Sequence, residues 1–239
     1  MPSRAKADGS KELIAFVQGE LAARADLRKA VAMAAYMKTS MPFYGVAKPD
    51  RDPISRELKK RFPISSHPEY KRAVLGLWKL PHREEKYFAL YVARMWPDFI
   101  APDSMPLYRR IIEEGAWWDI VDEAAAHLVG AVLLHHRNEI APLMDRWIEE
   151  SDLWVRRTAI ISQLTHKRAT DHVRLFRYCL AQAAEKDFFI RKAIGWALRQ
   201  YAYSAPDRVR AFIEKNRHKL SPLSYREASR VLIKQGAMV

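Results

Sequence analysis

The sequence predicts an all-α architecture of stacked helix pairs, and three observations predict it. The first is composition: Ala occurs 33 times against 8 Gly and 4 Thr, so the residue that costs a helix least dominates. The second is punctuation. From about residue 69 onward, a helix-length apolar pattern is followed by a short break and then a slightly longer helix-length pattern, the rhythm of antiparallel helix pairs. The third is a period, which emerges once the elements are placed in order.

Residues 1–11 are polar and mixed in charge and predict an N-terminal tail, with 12–239 as one helical-repeat domain. Two short amphipathic helices are expected over 13–24 and 26–39. Met41-Pro42, Lys48-Pro49 and Asp52-Pro53 then mark a connection, because proline disfavours helix at the residue before it. Later breaks are expected at Leu80-Pro81, from Trp96 to Pro102, at Gly115, at Asn138, at Ser151-Asp152, at Lys186-Asp187, at Ala205-Pro206 and at Leu220-Ser221-Pro222. Ser151 or Asp152, Asp187 and Ser221 are suited to accept from the orphan N–H groups of a following helix, and Pro222 suits a first turn.

After several breaks comes an apolar pair and then a charged position: Trp117-Trp118 with Asp122, Leu153-Trp154 with Arg157, Phe188-Phe189 with Lys192, and Pro222-Leu223 with Arg226. The charged positions are 35, 35 and 34 residues apart. Two helices in a period near 35 residues are the signature of an α-solenoid of HEAT or TPR type. No TPR consensus is visible, which selects HEAT-like repeats. Second helices of such a stack lie side by side, so Asp122, Arg157, Lys192 and Arg226 are expected to form one row in a concave basic groove. Trp118 precedes Asp122 by four residues and Trp196 follows Lys192 by four; Arg199 and Arg230 extend the row by a further turn.

Charge and rare residues bound the function. Forty-one Lys and Arg against 28 Asp and Glu leave +13, which points to an anionic partner, most simply nucleic acid. The eight glycines are too dispersed for a G-x-G turn or a phosphate loop, which removes Rossmann and P-loop folds. A lone Cys179 excludes a disulfide framework and a Cys-based zinc site. Nothing resembles the apolar core of a signal peptide, and no run of 18 apolar residues is present. A monomeric cytoplasmic protein without membrane attachment is expected, associated with the nucleoid in a prokaryote.

An acid in the middle of a cationic row repels the anion the row attracts, so Asp122 calls for an explanation. The plain one makes Trp118 and Trp196 core residues and Asp122 an acid favoured by the start of its helix. The chemical one makes all three a site. His127, His135 and His136 do not complete a metal set with any carboxylate cluster, adjacent histidines facing different sides of a helix; no metal or other cofactor is expected. The run from Arg56 to Arg61 is read as a solvated face or a phosphate-facing one, and Trp147 and Trp154 as core.

At these residues the sequence resembles the AlkD family of DNA alkylation-repair glycosylases, built of HEAT-like repeats. The matching strings are Trp117-Trp118-Asp119-Ile120-Val121-Asp122, Trp154-Val155-Arg156-Arg157 and Phe188-Phe189-Ile190-Arg191-Lys192-Ala193-Ile194-Gly195-Trp196. Tyr36-Met37-Lys38, the stretch from Gly45 to Arg51, and Leu77-Trp78-Lys79-Leu80-Pro81 join them. The resemblance runs from about residue 12 to the C-terminus. It implies hydrolysis of the N-glycosidic bond of purines alkylated at N3 or N7 in duplex DNA, with the lesion kept within the stack. It further implies Asp122 as the catalytic carboxylate, Trp118 and Trp196 against the sugar, Arg157 on the DNA backbone and Tyr36 near the lesion. Lys192, Arg199 and Arg226 are expected to contact further phosphates.

The chemistry is consistent with one carboxylate. Ordinary glycoside hydrolysis uses two, one of them to protonate the leaving group. A cationic alkylpurine departs neutral and needs no acid, which leaves one carboxylate to support the oxocarbenium ion, with indole faces adding attraction to the developing cation. A non-catalytic DNA-binding solenoid for damaged or branched DNA gains nothing from an acid beside phosphate. A protein-binding scaffold favours an apolar groove over a charged row.

Overall fold

The computed structural model describes residues 9–237. Most of the expected tail, residues 1–8, lies outside the described residues, and Ser10 already opens the first helix. All regular structure among the described residues is helical, and none of their helices is long and apolar enough to cross a membrane. The described residues fall into two compact units, within the bounds Met1–Ile100 and Ala101–Val239.

The first unit carries α1 (Ser10–Ala23), α2 (Leu27–Met37), α3 (Lys48–Arg61), α4 (His67–Trp78) and α5 (Arg83–Met95). Leu13, Val17 and Leu21 recur every four residues along α1 and are buried, giving the stripe with which α1 packs on α4. Tyr70 on α4 donates its hydroxyl to the Ala93 carbonyl on α5 at 3.0 Å. The α2–α3 connection is held by a fully buried Glu84, whose carboxylate accepts from the backbone N–H of Tyr44, Gly45 and Val46 at 3.0, 2.9 and 3.0 Å. Gly45 sits at φ +85°, and a Cβ there would fall 2.1 Å from the Asp26 carbonyl oxygen. Only glycine fits that turn.

The second unit alternates helices that carry the row with helices that do not. These are α6 (Met105–Gly115), α7 (Trp118–Ala124) running through a π-helical turn (Ala125–Val129) into α8 (Gly130–His135), then α9 (Arg137–Trp147), α10 (Leu153–Ile161), α11 (His172–Ala181), α12 (Phe188–Ala202), α13 (Pro206–Lys215) and α14 (Pro222–Lys234). Helix α7 packs on α10, α10 on α12 and α12 on α14, so the second helices are neighbours as the period requires. The starts of α10, α12 and α14 are capped at the expected breaks. Asp152 accepts from Trp154 and Val155 at 2.8 and 2.9 Å, Asp187 from Phe189 and Ile190 at 2.7 and 3.3 Å, and Ser221 from Ser224 at 3.0 Å. The break expected at Asn138 falls instead at His136, and Asn138 lies in the first turn of α9.

Candidate active site

The site begins where α6 ends. Ala116 takes a left-handed turn at φ 35° and Trp117 is extended at φ −154°, which separates the two adjacent indoles. Trp117 turns inward onto Trp154 and Phe189, with ring centroids 6.1 and 5.4 Å away, and those two rings are themselves 5.0 Å apart. Trp118 opens α7 with 36% of its surface exposed. Asp122 follows one turn later on the same face.

Helix α7 then widens. In the π-helical turn Ala125–Val129, the backbone pattern shifts by one residue, and the next structural layer supplies partners to its carbonyls. Thr165 donates to the Ala126 oxygen at 3.3 Å, and His166 Nε2 donates to the Gly130 oxygen at 2.8 Å. Burial pushes the His166 imidazole below its ordinary range, and a carbonyl partner requires the proton on Nε2. A Cβ on Gly130 would lie 2.3 Å from the Ser162 carbonyl oxygen. The turn is thus set by contact with the segment that follows α10.

A cleft of about 420 Å³ opens at this place, with Trp118, Asp122, Glu123, His127, Thr165 and Trp196 in its walls. Trp118 and Trp196 line solvent-reached space, unlike Trp147 and Trp154, which are 1% and 9% exposed and belong to the core as expected.

Asp122 is bound face-on by Arg157 from α10: Nε and Nη2 reach Oδ1 and Oδ2, each at 2.7 Å. The third arm of the guanidinium donates to the Phe189 carbonyl on α12. Arg157 is 3% exposed, so its donors turn into the protein and not toward a phosphate. The row register predicted this neighbour but not its use. Burial pushes the Asp122 carboxyl above its ordinary range; the bonds and charge of Arg157 work against that, and the nearby Asp119 charge adds to it.

The other end of the row is corrected. Arg226 is exposed, and the position 35 residues after Lys192 is Glu227, which is buried. Lys192 Nζ lies 2.8 Å from its carboxylate, Arg230 lies 3.6 Å away, and Arg199 donates to it. The expected single acid among cations is in fact one of two. Burial pushes Glu227 upward, but Lys192, Arg199 and Arg230 together hold its carboxyl below the ordinary range. A spacing of 35 applied strictly to Lys192 was the signal for this residue.

His127 pairs with Glu123 at 3.8 Å within the cleft, while His135 and His136 are exposed. Among the described residues, no group of three or more His, Cys, Asp or Glu could hold a metal ion. Tyr36 stands on α2 of the first unit with 76% of its surface exposed.

Residues 17–232 match the model of the DNA alkylation repair enzyme family. A predicted DNA alkylation repair enzyme from Enterococcus faecalis superposes with a TM-score of 0.80 at 28% identity, covering 88% of this chain and 97% of its own. The alkylpurine DNA glycosylase AlkC of Pseudomonas fluorescens, solved on DNA containing an abasic site analog, gives a TM-score of 0.49 at 19% identity, over 98% of this chain and 66% of that one. No curated protein matches. With the family model spanning most of its length, the chain belongs to the DNA alkylation repair enzyme family.

Proposed function

We propose that the protein is a DNA glycosylase that releases cationic N3- or N7-alkylated purines from duplex DNA. The observation that carries this reading is the cleft in which Asp122 stands with Trp118 and Trp196. The N-glycosidic bond breaks with its electron pair going to the purine, which leaves neutral because it was positively charged. The sugar becomes an oxocarbenium ion, water adds at C1′, and the water proton is released to solvent.

Each residue has a task in that sequence. Asp122 supplies negative charge close to the developing cation. Its charge is incompletely compensated by Arg157, so a further positive charge in the cleft is stabilising. Trp118 and Trp196 present indole faces to the deoxyribose and attract its developing positive charge. Arg157 holds the carboxylate by both oxygens and so fixes its direction; this replaces the phosphate contact expected from sequence. Lys192 and Arg199 approach the backbone, and Tyr36 and Arg226 are further DNA contacts by their exposure and by the family resemblance. No acid is needed for the leaving base and no cofactor for the bond cleavage, so the base can depart from within the stack.

The test is direct. Methylated duplex DNA incubated with the protein should release 7-methylguanine and 3-methyladenine and leave abasic sites. Tight binding to that DNA with no released base would select the non-catalytic binding reading.

A further inference from the structure

Glu227 gathers three cations from two helices, and the arrangement surrounds one cleft residue. Lys192, Trp196 and Arg199 occupy one face of α12, one turn apart in succession. Glu227 reaches from α14 to Lys192 on one side of Trp196 and to Arg199 on the other. Its side chain is 7% exposed, whereas those of Lys192 and Arg199 are 37% and 23% exposed. The carboxylate lies inside and the cations lie outward. With Arg230 at the rim, three positive charges meet one negative charge, and the surface presented to solvent remains cationic.

The approach of α14 that makes this possible depends on Gly195, the residue before Trp196. A Cβ there would lie 2.5 Å from Glu227 Cβ and 2.9 Å from the Ser224 carbonyl oxygen. No other residue lets the two helices close to this distance. The Gly-Trp step thus serves two sides at once: the glycine admits Glu227, and the tryptophan lines the cleft.

We propose that Glu227 is a positioning residue: it fixes Lys192 and Arg199 on either side of Trp196 so that a DNA phosphate received by the two cations sets the adjoining sugar against Trp196. This rests on the glycosylase reading above. If Glu227 only joined α14 to α12, its loss would lower stability and leave the excision rate of folded protein unchanged.

Two full-length variants test it, Glu227→Gln and Gly195→Ala. Each is read by single-turnover release of 7-methylguanine and by binding to undamaged duplex across a salt series. Both should excise roughly tenfold more slowly at saturating protein, because the sugar is misplaced. Glu227→Gln should bind undamaged DNA as tightly or more tightly, with a salt slope steeper by about one unit, since an anion has left the cationic cluster. Gly195→Ala keeps every charge, so its slope should not change. Wild-type excision rates in folded Glu227→Gln overturn the proposal. If only that variant fails to fold, Gly195→Ala decides by the same rate criterion. Loss of the fold in both variants assigns Glu227 to stability alone and also overturns it. If the wild-type protein releases no base, the glycosylase reading fails, and the contrast in salt slopes still supports or refutes the placement of Glu227 among phosphate-binding cations.

Discussion

Two carboxylates stand at opposite ends of the row in the second unit, Asp122 half-buried and Glu227 buried, and they are compensated differently. Asp122 meets one guanidinium, and burial wins over it, so its carboxyl lies above the ordinary range. Glu227 meets three cations, and they win over burial, so its carboxyl lies below that range. The difference separates their tasks. A carboxylate already saturated with cations gains little from one more, and it acts by holding them. An under-compensated carboxylate gains from a positive charge that develops beside it, as a transition state requires. In the proposed reaction Asp122 is thus the reactive carboxylate and Glu227 the supporting one.

The largest effect is expected on removing Arg157, the guanidinium that pairs with Asp122. Arg157→Ala leaves a half-buried carboxylate unpaired, and thermal melting should register a loss of about 3–5 kcal/mol. Removing one of the three partners of Glu227 should cost far less, and Lys192→Ala melting close to wild type is the control. An Arg157→Ala protein of wild-type stability would contradict the compensation argument.

Trp196 lies in the cleft with Asp122 and between the cations of Glu227. Trp196→Ala should slow excision by roughly tenfold, the scale of a desolvated cation–π contact. Its melting temperature should fall much less than that of Trp147→Ala, which empties a core position and should cost about 3–5 kcal/mol. Similar losses of stability in the two would return Trp196 to the core.

The pH dependence sharpens the contrast. Asp122 takes up its proton above the ordinary Asp value of about 3.9. Excision should therefore decline as pH falls toward that range, by roughly tenfold per unit once the carboxyl is protonated. In that window the folded chain binds a proton that the unfolded chain does not, so protonating Asp122 favours the fold. Glu227 behaves oppositely. Its contribution to stability is full above the unfolded Glu value of about 4.3 and is lost only as pH falls through its lower folded value. Rate and melting profiles should show activity lost before structure as acid is added; coincident loss would show that the two carboxylates are not distinct.

Much of this was legible before the structure. The period of 35 placed Asp122 opposite Arg157, and Asp152, Asp187 and Ser221 marked the helix starts at which they serve as caps. Helical spacing brought Trp118 and Asp122 to one face, and both line the cleft with Trp196. What was missed has physical reasons. Arg226 and Glu227 are adjacent and both charged, but a step of one residue turns about 100° around a helix, so one is exposed and the other buried. The pairing of Arg157 with Asp122 was also not legible, because a positive charge in a row reads as free until its neighbour is seen. The π-helical turn was not legible at all. Residues 125–129 are ordinary helix formers, and the carbonyls of Ala126 in the turn and of Gly130 just after it are met by Thr165 and His166 from another part of the chain.

In the proposed reaction the negative charge of Asp122 drives bond cleavage. Asp122→Asn keeps its size and most of its hydrogen-bonding capacity and removes only the charge. Single-turnover release of 7-methylguanine should slow by about 10²–10³, the scale for losing one well-placed electrostatic group, while affinity for undamaged duplex holds or tightens. Release at the wild-type rate by the folded Asn variant, at equal binding, would contradict the account.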